Sequence, residues 1–104
     1  MLETVMSVTK WADETFGPAT ELVQVERAIK EMREMVWLID EYQATQTPID
    51  WGKVAEEAAD VVICLYRVIG HCDPDAIEKK MAINRARKWN VAKDGTAQHI
   101  EEGT

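Results

Sequence analysis

An all-α fold is what this sequence predicts, on three observations. Apolar residues recur at steps of three and four, the spacing of one helix face. The Gly and Pro punctuation falls between those periodic stretches rather than inside them. Strand signals are weak throughout. Val5, Val8, Trp11 and Ala12 mark a short first helix, closed by Gly17-Pro18. Leu22, Val25, Ile29, Met32, Val36 and Ile39 trace a second, from about Thr20 to Tyr42, and Gln43 to Thr47 reads as a polar connection. Thr47-Pro48 then offers an N-cap followed by proline at the first helical position, with Asp50 in the first turn. Val54, Ala58, Val61, Val62, Leu65 and Ile69 continue a third helix, for which Gly70 is the expected terminator. Asp73-Pro74 repeats the cap-plus-proline signal ahead of a fourth helix that carries Ile77, Met81 and Ile83 and runs to about Trp89. Asp94-Gly95 marks a turn, and the tail is polar.

The 104 residues read as a single domain, 1–104, with no internal repeat and no dividing linker. So short a four-helix bundle is expected to complete its core by oligomerisation, as a homodimer or homotetramer. A formal net charge of -7 argues against a sequence-independent grip on nucleic acid, which needs a basic face. It leaves nucleotides open, because a divalent cation bridges acidic protein to phosphate. Cys64 and Cys72 form no CxxC pair and no zinc-like spacing with His71 or His99, so both read as reduced thiols. Met1 to Lys10 lacks an apolar signal-peptide region, and the apolar run Val61 to Tyr66 is far too short to span a bilayer. The expectation is a cytoplasmic protein with no membrane partner.

Chemistry enters with two acidic pairs. Glu31 and Glu34 stand three apart on the second helix, and Glu57 and Asp60 three apart on the third. That spacing puts both members of a pair on one face. Such pairs are common on solvated faces, but their angular position is unusual. Glu31 falls between Met35 and Leu38 on the helical wheel, and Glu57 between Cys64 and Val68, both inside the apolar arc. Glu34 and Asp60 lie at its border. A carboxylate in an apolar stripe is costly unless paired, protonated or bound to metal. Four oxygen donors favour a hard cation, Mg²⁺ or Mn²⁺. No Glu-x-x-His accompanies them, which excludes the di-iron carboxylate pattern. On the fourth helix Lys80 and Asn84 share the side of Ile77 and Met81, with Arg85, Arg87 and Lys88 following. These cations either complement the helix dipole or clamp phosphate beside the metal site.

These residues resemble the ExxE…ExxD signature of the MazG-like all-α NTP pyrophosphohydrolases. The match runs from Glu31-Met32-Arg33-Glu34 through Glu56-Glu57-Ala58-Ala59-Asp60-Val61-Val62 to Lys79-Lys80-Met81-Ala82-Ile83-Asn84-Arg85-Ala86-Arg87-Lys88-Trp89. Trp11-Ala12-Asp13-Glu14-Thr15-Phe16-Gly17 and Asp94-Gly95-Thr96 resemble short stand-alone members. The resemblance implies a Mg²⁺-dependent conversion of NTP or dNTP and water to the monophosphate and pyrophosphate. Glu31, Glu34, Glu57 and Asp60 would bind metal, and a metal-activated water would attack the α-phosphorus. Lys80, Asn84 and Arg87 match positions that contact phosphates. Trp11 and Phe16 fit stacking on a base, and fit a core or interface role better. Trp37 and Trp51 lie off the main stripes and suit an interface as well as a pocket. The alternative is a non-catalytic helical module that uses the same fold for metal binding or protein contact.

Overall fold

The computed structural model describes residues 2–100, and they are mostly helical. The chain divides into two compact units, which meet in sequence at Pro74 and Asp75. The first holds α1 (Val5–Phe16), α2 (Glu21–Ala44) and α3 (Trp51–Cys72). The second holds α4 (Ala76–Ala86) and a two-stranded hairpin, β1 (Lys88–Val91) and β2 (Ala97–Ile100). The four expected helices are all present. Among the described residues no helix is long and apolar enough to cross a membrane.

Local chemistry sets the helix starts in the first unit. Thr4 opens α1 with a capping box: Ser7 N donates to Thr4 Oγ1 at 3.0 Å, and Thr4 N donates to Ser7 Oγ at 2.7 Å. Thr20 caps α2 by accepting from Val23 N at 3.2 Å. The start of α3 differs from expectation. Its cap is Asp50, whose Oδ1 accepts from Lys53 N at 3.1 Å, three residues beyond Thr47. Thr47 is already engaged with the end of α2. Its N–H donates to Tyr42 O at 2.9 Å, and its hydroxyl lies 2.8 Å from that of Thr45. α2 itself runs on to Ala44, with Gln46 at φ 55 making the reversal.

α3 is the central element of the first unit and packs against both α1 and α2. Its buried apolar partners are few and small: Val8 and Ala12 from α1, Ala28 from α2, and its own Val54 and Val61. Gly70 does not end α3, which continues to Cys72. It is instead a point of close approach to α1. A Cβ there would collide with the hydroxyl of Thr9 and lie 2.9 Å from the Thr9 Cβ. Thr9 is locked in place, its hydroxyl donating to Val5 O at 2.7 Å or to Tyr66 O at 3.0 Å.

The face that α2 packs inward also differs from expectation. Gln24 and Ala28 are its buried residues, with Glu31, Met35, Leu38 and Tyr42 half-buried along the same line. Much of the more apolar stripe is exposed, from Leu22 at 67% to Val36 at 52%. The step pattern was a true helix signal, but the side it marked is rotated away from α3.

In the second unit α4 begins after Asp75 rather than at Pro74, and it stops at Ala86, short of Trp89. Asp73 instead closes α3, its N–H donating to Ile69 O at 2.9 Å. Trp89 stands in β1 opposite His99, and its indole N–H donates to Asn84 O at 2.8 Å, joining the Arg87 N–H at 3.3 Å on a carbonyl of the last helical turn. The expected turn at Asp94-Gly95 joins the strands. Gly95 has φ 89, and Asp94 Oδ1 accepts from both the N–H and the hydroxyl of Thr96. The strands are four residues each and exposed throughout, too short for an alternation to register in sequence.

The Gly70–Thr9 contact makes a prediction. In an ordinary helix interior Gly→Ala gains about 1 kcal/mol. Here Gly70→Ala drives a methyl into Thr9, and the net effect is a loss of about 1–2 kcal/mol. Urea unfolding of both proteins measures it, and a more stable alanine variant would refute the close approach.

Candidate active site

α2 and α3 bring the acidic residues together. Carboxylate oxygens of Glu31, Glu57 and Asp60 all lie within 4.8 Å of one another. Glu31 and Glu57 are half-buried, and Asp60 is exposed. Glu34 is outside that trio but close enough to act on Glu31. Burial, then Glu34, then the charge of Asp60 push the Glu31 carboxyl above its ordinary value near 4.5. Arg27, whose Nη2 lies 3.8 Å from Glu31 Oε1, pulls the other way.

The trio suits a small hard cation. Two oxygens on one octahedral Mg²⁺ stand about 3–4 Å apart, given bonds of about 2.1 Å. Carboxylates already within 4.8 Å reach that spacing by rotamer adjustment. The donor set is all oxygen, with no nitrogen or sulfur to favour zinc.

Beside the trio opens a cavity of about 450 Å³. Glu31 and Asp60 belong to both the trio and the cavity wall. Trp11 and Phe16 of α1 line it and meet edge to face at 5.4 Å. Trp11 is therefore placed at the pocket, half exposed, rather than in the core. Lys80, Asn84 and Arg87 all belong to the second unit. There Lys80 is exposed and Arg87 half-buried, and Asn84 Oδ1 is enclosed with no hydrogen-bond partner among the described residues.

Sequence reading missed several residues that the structure places at the cavity. Gln24 and Arg27 come from α2, and Arg67 from α3. Arg67 is buried at 5% exposure. Its Nη2 donates to Asp13 Oδ1 and to Gly17 O, both at 2.9 Å, which ties α3 to the end of α1. His71 Nε2 lies 2.7 Å from the other Asp13 oxygen. His71 first and Arg67 second hold the Asp13 carboxyl below its ordinary value near 3.8. A signal was available: Gln24 stands seven before Glu31 and Arg67 seven after Asp60, two turns along the same faces.

The chain is similar, at 30% identity over 96 residues, to a protein of Salmonella phage PMBT28 named a dATP/dGTP diphosphohydrolase. The match takes in 92% of this chain but only 30% of that protein, so the chain spans about a third of its length. No protein-family model matches the sequence, and no solved structure matches it.

The charge at Glu31 has a testable consequence. A carboxyl whose folded pKa is raised binds its proton more tightly in the native state. Its ionised form therefore costs stability, and the cost grows as pH rises from about 4.5 through the higher folded value. Glu31→Gln removes the repelling charge and keeps the shape. Without divalent metal the variant is expected to melt above wild type at neutral pH, with the gap closing toward pH 4 or so. Thermal melts in chelator across that range measure it. A variant that melts no higher would show the four acids do not strain one another.

Proposed function

We propose that this chain hydrolyses nucleoside triphosphates to the monophosphate and pyrophosphate in a Mg²⁺-dependent reaction, with purine deoxynucleotides as the preferred substrates. One observation carries the reading. Glu31 and Asp60 serve at once in a convergent carboxylate trio and in the wall of a nucleotide-sized cavity with aromatic lining. The name of the similar phage protein supports the purine deoxynucleotide choice. The ExxE…ExxD arrangement supports placement among the MazG-like enzymes.

In the reaction a water oxygen bonds to the α-phosphorus, the bond to the oxygen bridging α and β breaks, and the water loses a proton. Glu31, Glu34, Glu57 and Asp60 would hold the metal. Mg²⁺, when bound, supplies charge neutralisation on the phosphates and a more acidic water, with Mn²⁺ an acceptable substitute. Arg27 at the cavity wall adds positive charge near the acids. Trp11 offers a face for the base. Lys80, Asn84 and Arg87 are the proposed phosphate contacts. The competing reading, a helical module that binds metal or protein without catalysis, makes no use of a cavity joined to the acids.

Products decide the matter. With Mg²⁺ the chain is expected to release a monophosphate and pyrophosphate from dATP and dGTP, read by ion-exchange chromatography. A diphosphate and orthophosphate as primary products would overturn the bond assignment, and no release at all would favour the non-catalytic module.

We also propose assembly into a homodimer or homotetramer. The support is the exposed stripe Leu22, Val25, Ile29, Met32 and Val36 on α2, together with Trp37 at 64% exposure and Trp51 at 63%. No large side chain among the described residues is fully buried. Sedimentation equilibrium at micromolar concentration is expected to show multiples of 11.8 kDa. The monomer alone would sink the proposal.

A further inference from the structure

Among the polar side chains that line the cavity, Gln24 carries no charge and is not used by the carboxylate site. Gln24 is 3% exposed and lines the cavity from α2. Its amide has no protein hydrogen-bond partner among the described residues, and neither amide atom is sealed from the space it lines. No protein group among the described residues competes for this amide, so a ligand of matching pattern that displaces water from the cavity can pair with both of its atoms. The neighbours Trp11, Phe16, Val23 and Ile63 are apolar or aromatic, and Arg27, Glu31, Asp60 and Arg67 are charged, so Gln24 is the one neutral amide among the described residues of the wall. That is how a site orients a flat heteroaromatic ring.

Position narrows the ligand. Gln24 lies seven residues before Glu31 on one helix, about 10 Å along its axis. That is comparable with the span of a nucleotide from its α-phosphate to the far edge of its base. With phosphate at the acids, a base edge reaches Gln24. A purine reaches farther than a pyrimidine, because its Watson–Crick edge sits one ring beyond the sugar.

We propose that Gln24 reads the base by hydrogen bonds to the Watson–Crick edge of a purine; this rests on the reading of the chain as a nucleotide hydrolase. An amide offers one donor and one acceptor, and rotation about its last bond exchanges them. Adenine presents the N6 donor beside the N1 acceptor, and guanine the O6 acceptor beside the N1 donor. One glutamine satisfies both by turning over. The position thus selects purines over pyrimidines by reach while accepting either purine.

The test is calorimetric binding of α,β-imido analogues of dATP, dGTP, dCTP and dTTP to the full chain, with pyrophosphate release from the natural nucleotides assayed in parallel. Gln24→Leu is expected to weaken both purine analogues by about 5- to 150-fold, the value of a bidentate base contact of about 1–3 kcal/mol, and to leave the pyrimidine analogues nearly unchanged. Gln24→Glu makes a sharper forecast. A carboxylate only accepts, which suits the paired N1 and N2 donors of guanine and opposes the N1 acceptor of adenine. Preference should therefore swing toward the dGTP analogue. A structural role for Gln24 would not produce that swing. If both variants keep the wild-type ratios among the four analogues, the assignment of Gln24 fails, whether or not the wild type releases pyrophosphate. If the wild type releases none but its purine preference is lost in Gln24→Leu, the hydrolase reading fails and the role of Gln24 stands.

Discussion

The packing of α2 against α3 places like charges together, and the rest of the site follows from that contact. Glu31 and Glu57 occupy the inward lines of their helices, where leucine or valine would pack at lower cost. Two neighbours, Glu34 and Asp60, add further negative charge at the border. Arg27 offsets the repulsion only in part, being largely exposed and 3.8 Å away. A fold that tolerates such crowding beside so small an apolar core holds stability back at this spot. The proposed cation, once bound, would relieve it.

α1 supplies what the acidic pairs lack, a wall for the cavity. Its hold on α3 comes from two quite different contacts. Gly70 lets the helices approach until Thr9 fills the space a side chain would take. Arg67, out of solvent, grips Asp13 and the carbonyl of Gly17 at the helix end. Because Gly17 adopts φ 81, the chain turns sharply there into α2. Phe16 sits just before that turn and Trp11 one to two turns earlier, so the anchor at Arg67 also fixes where the aromatic lining stands. Losing the charge pair would disturb the pocket even though Arg67 makes none of the proposed phosphate contacts.

α2 shows how an apolar pattern can be right about a helix and misleading about its surroundings. The stripe through Leu22, Val25, Ile29, Met32 and Val36 is the more hydrophobic side, yet the side turned to α3 carries Gln24, Ala28 and Glu31. Small and polar residues suit that inner side because a cavity and an acidic cluster lie against it. The apolar side is left exposed, and in the proposed oligomer a second copy of the chain would cover it without enlarging the monomer's own core.

Periodicity and composition determined much by themselves. Four helices, their approximate extents, the turn at Asp94-Gly95 and the four acids on inward or border positions were all legible from spacing, because helical geometry converts sequence separation into direction. Tertiary structure decided the remainder. Thr47 could not cap α3 because its hydroxyl and N–H were taken by the end of α2. Gly70 serves close packing rather than termination because α1 crosses there. Trp89 joins a strand because His99 lies opposite it and Asn84 O accepts its indole proton. Gln24 and Arg67 gain their significance only when α1, α2 and α3 enclose a common space, since a lone polar residue on a helix declares nothing about burial until its neighbours arrive.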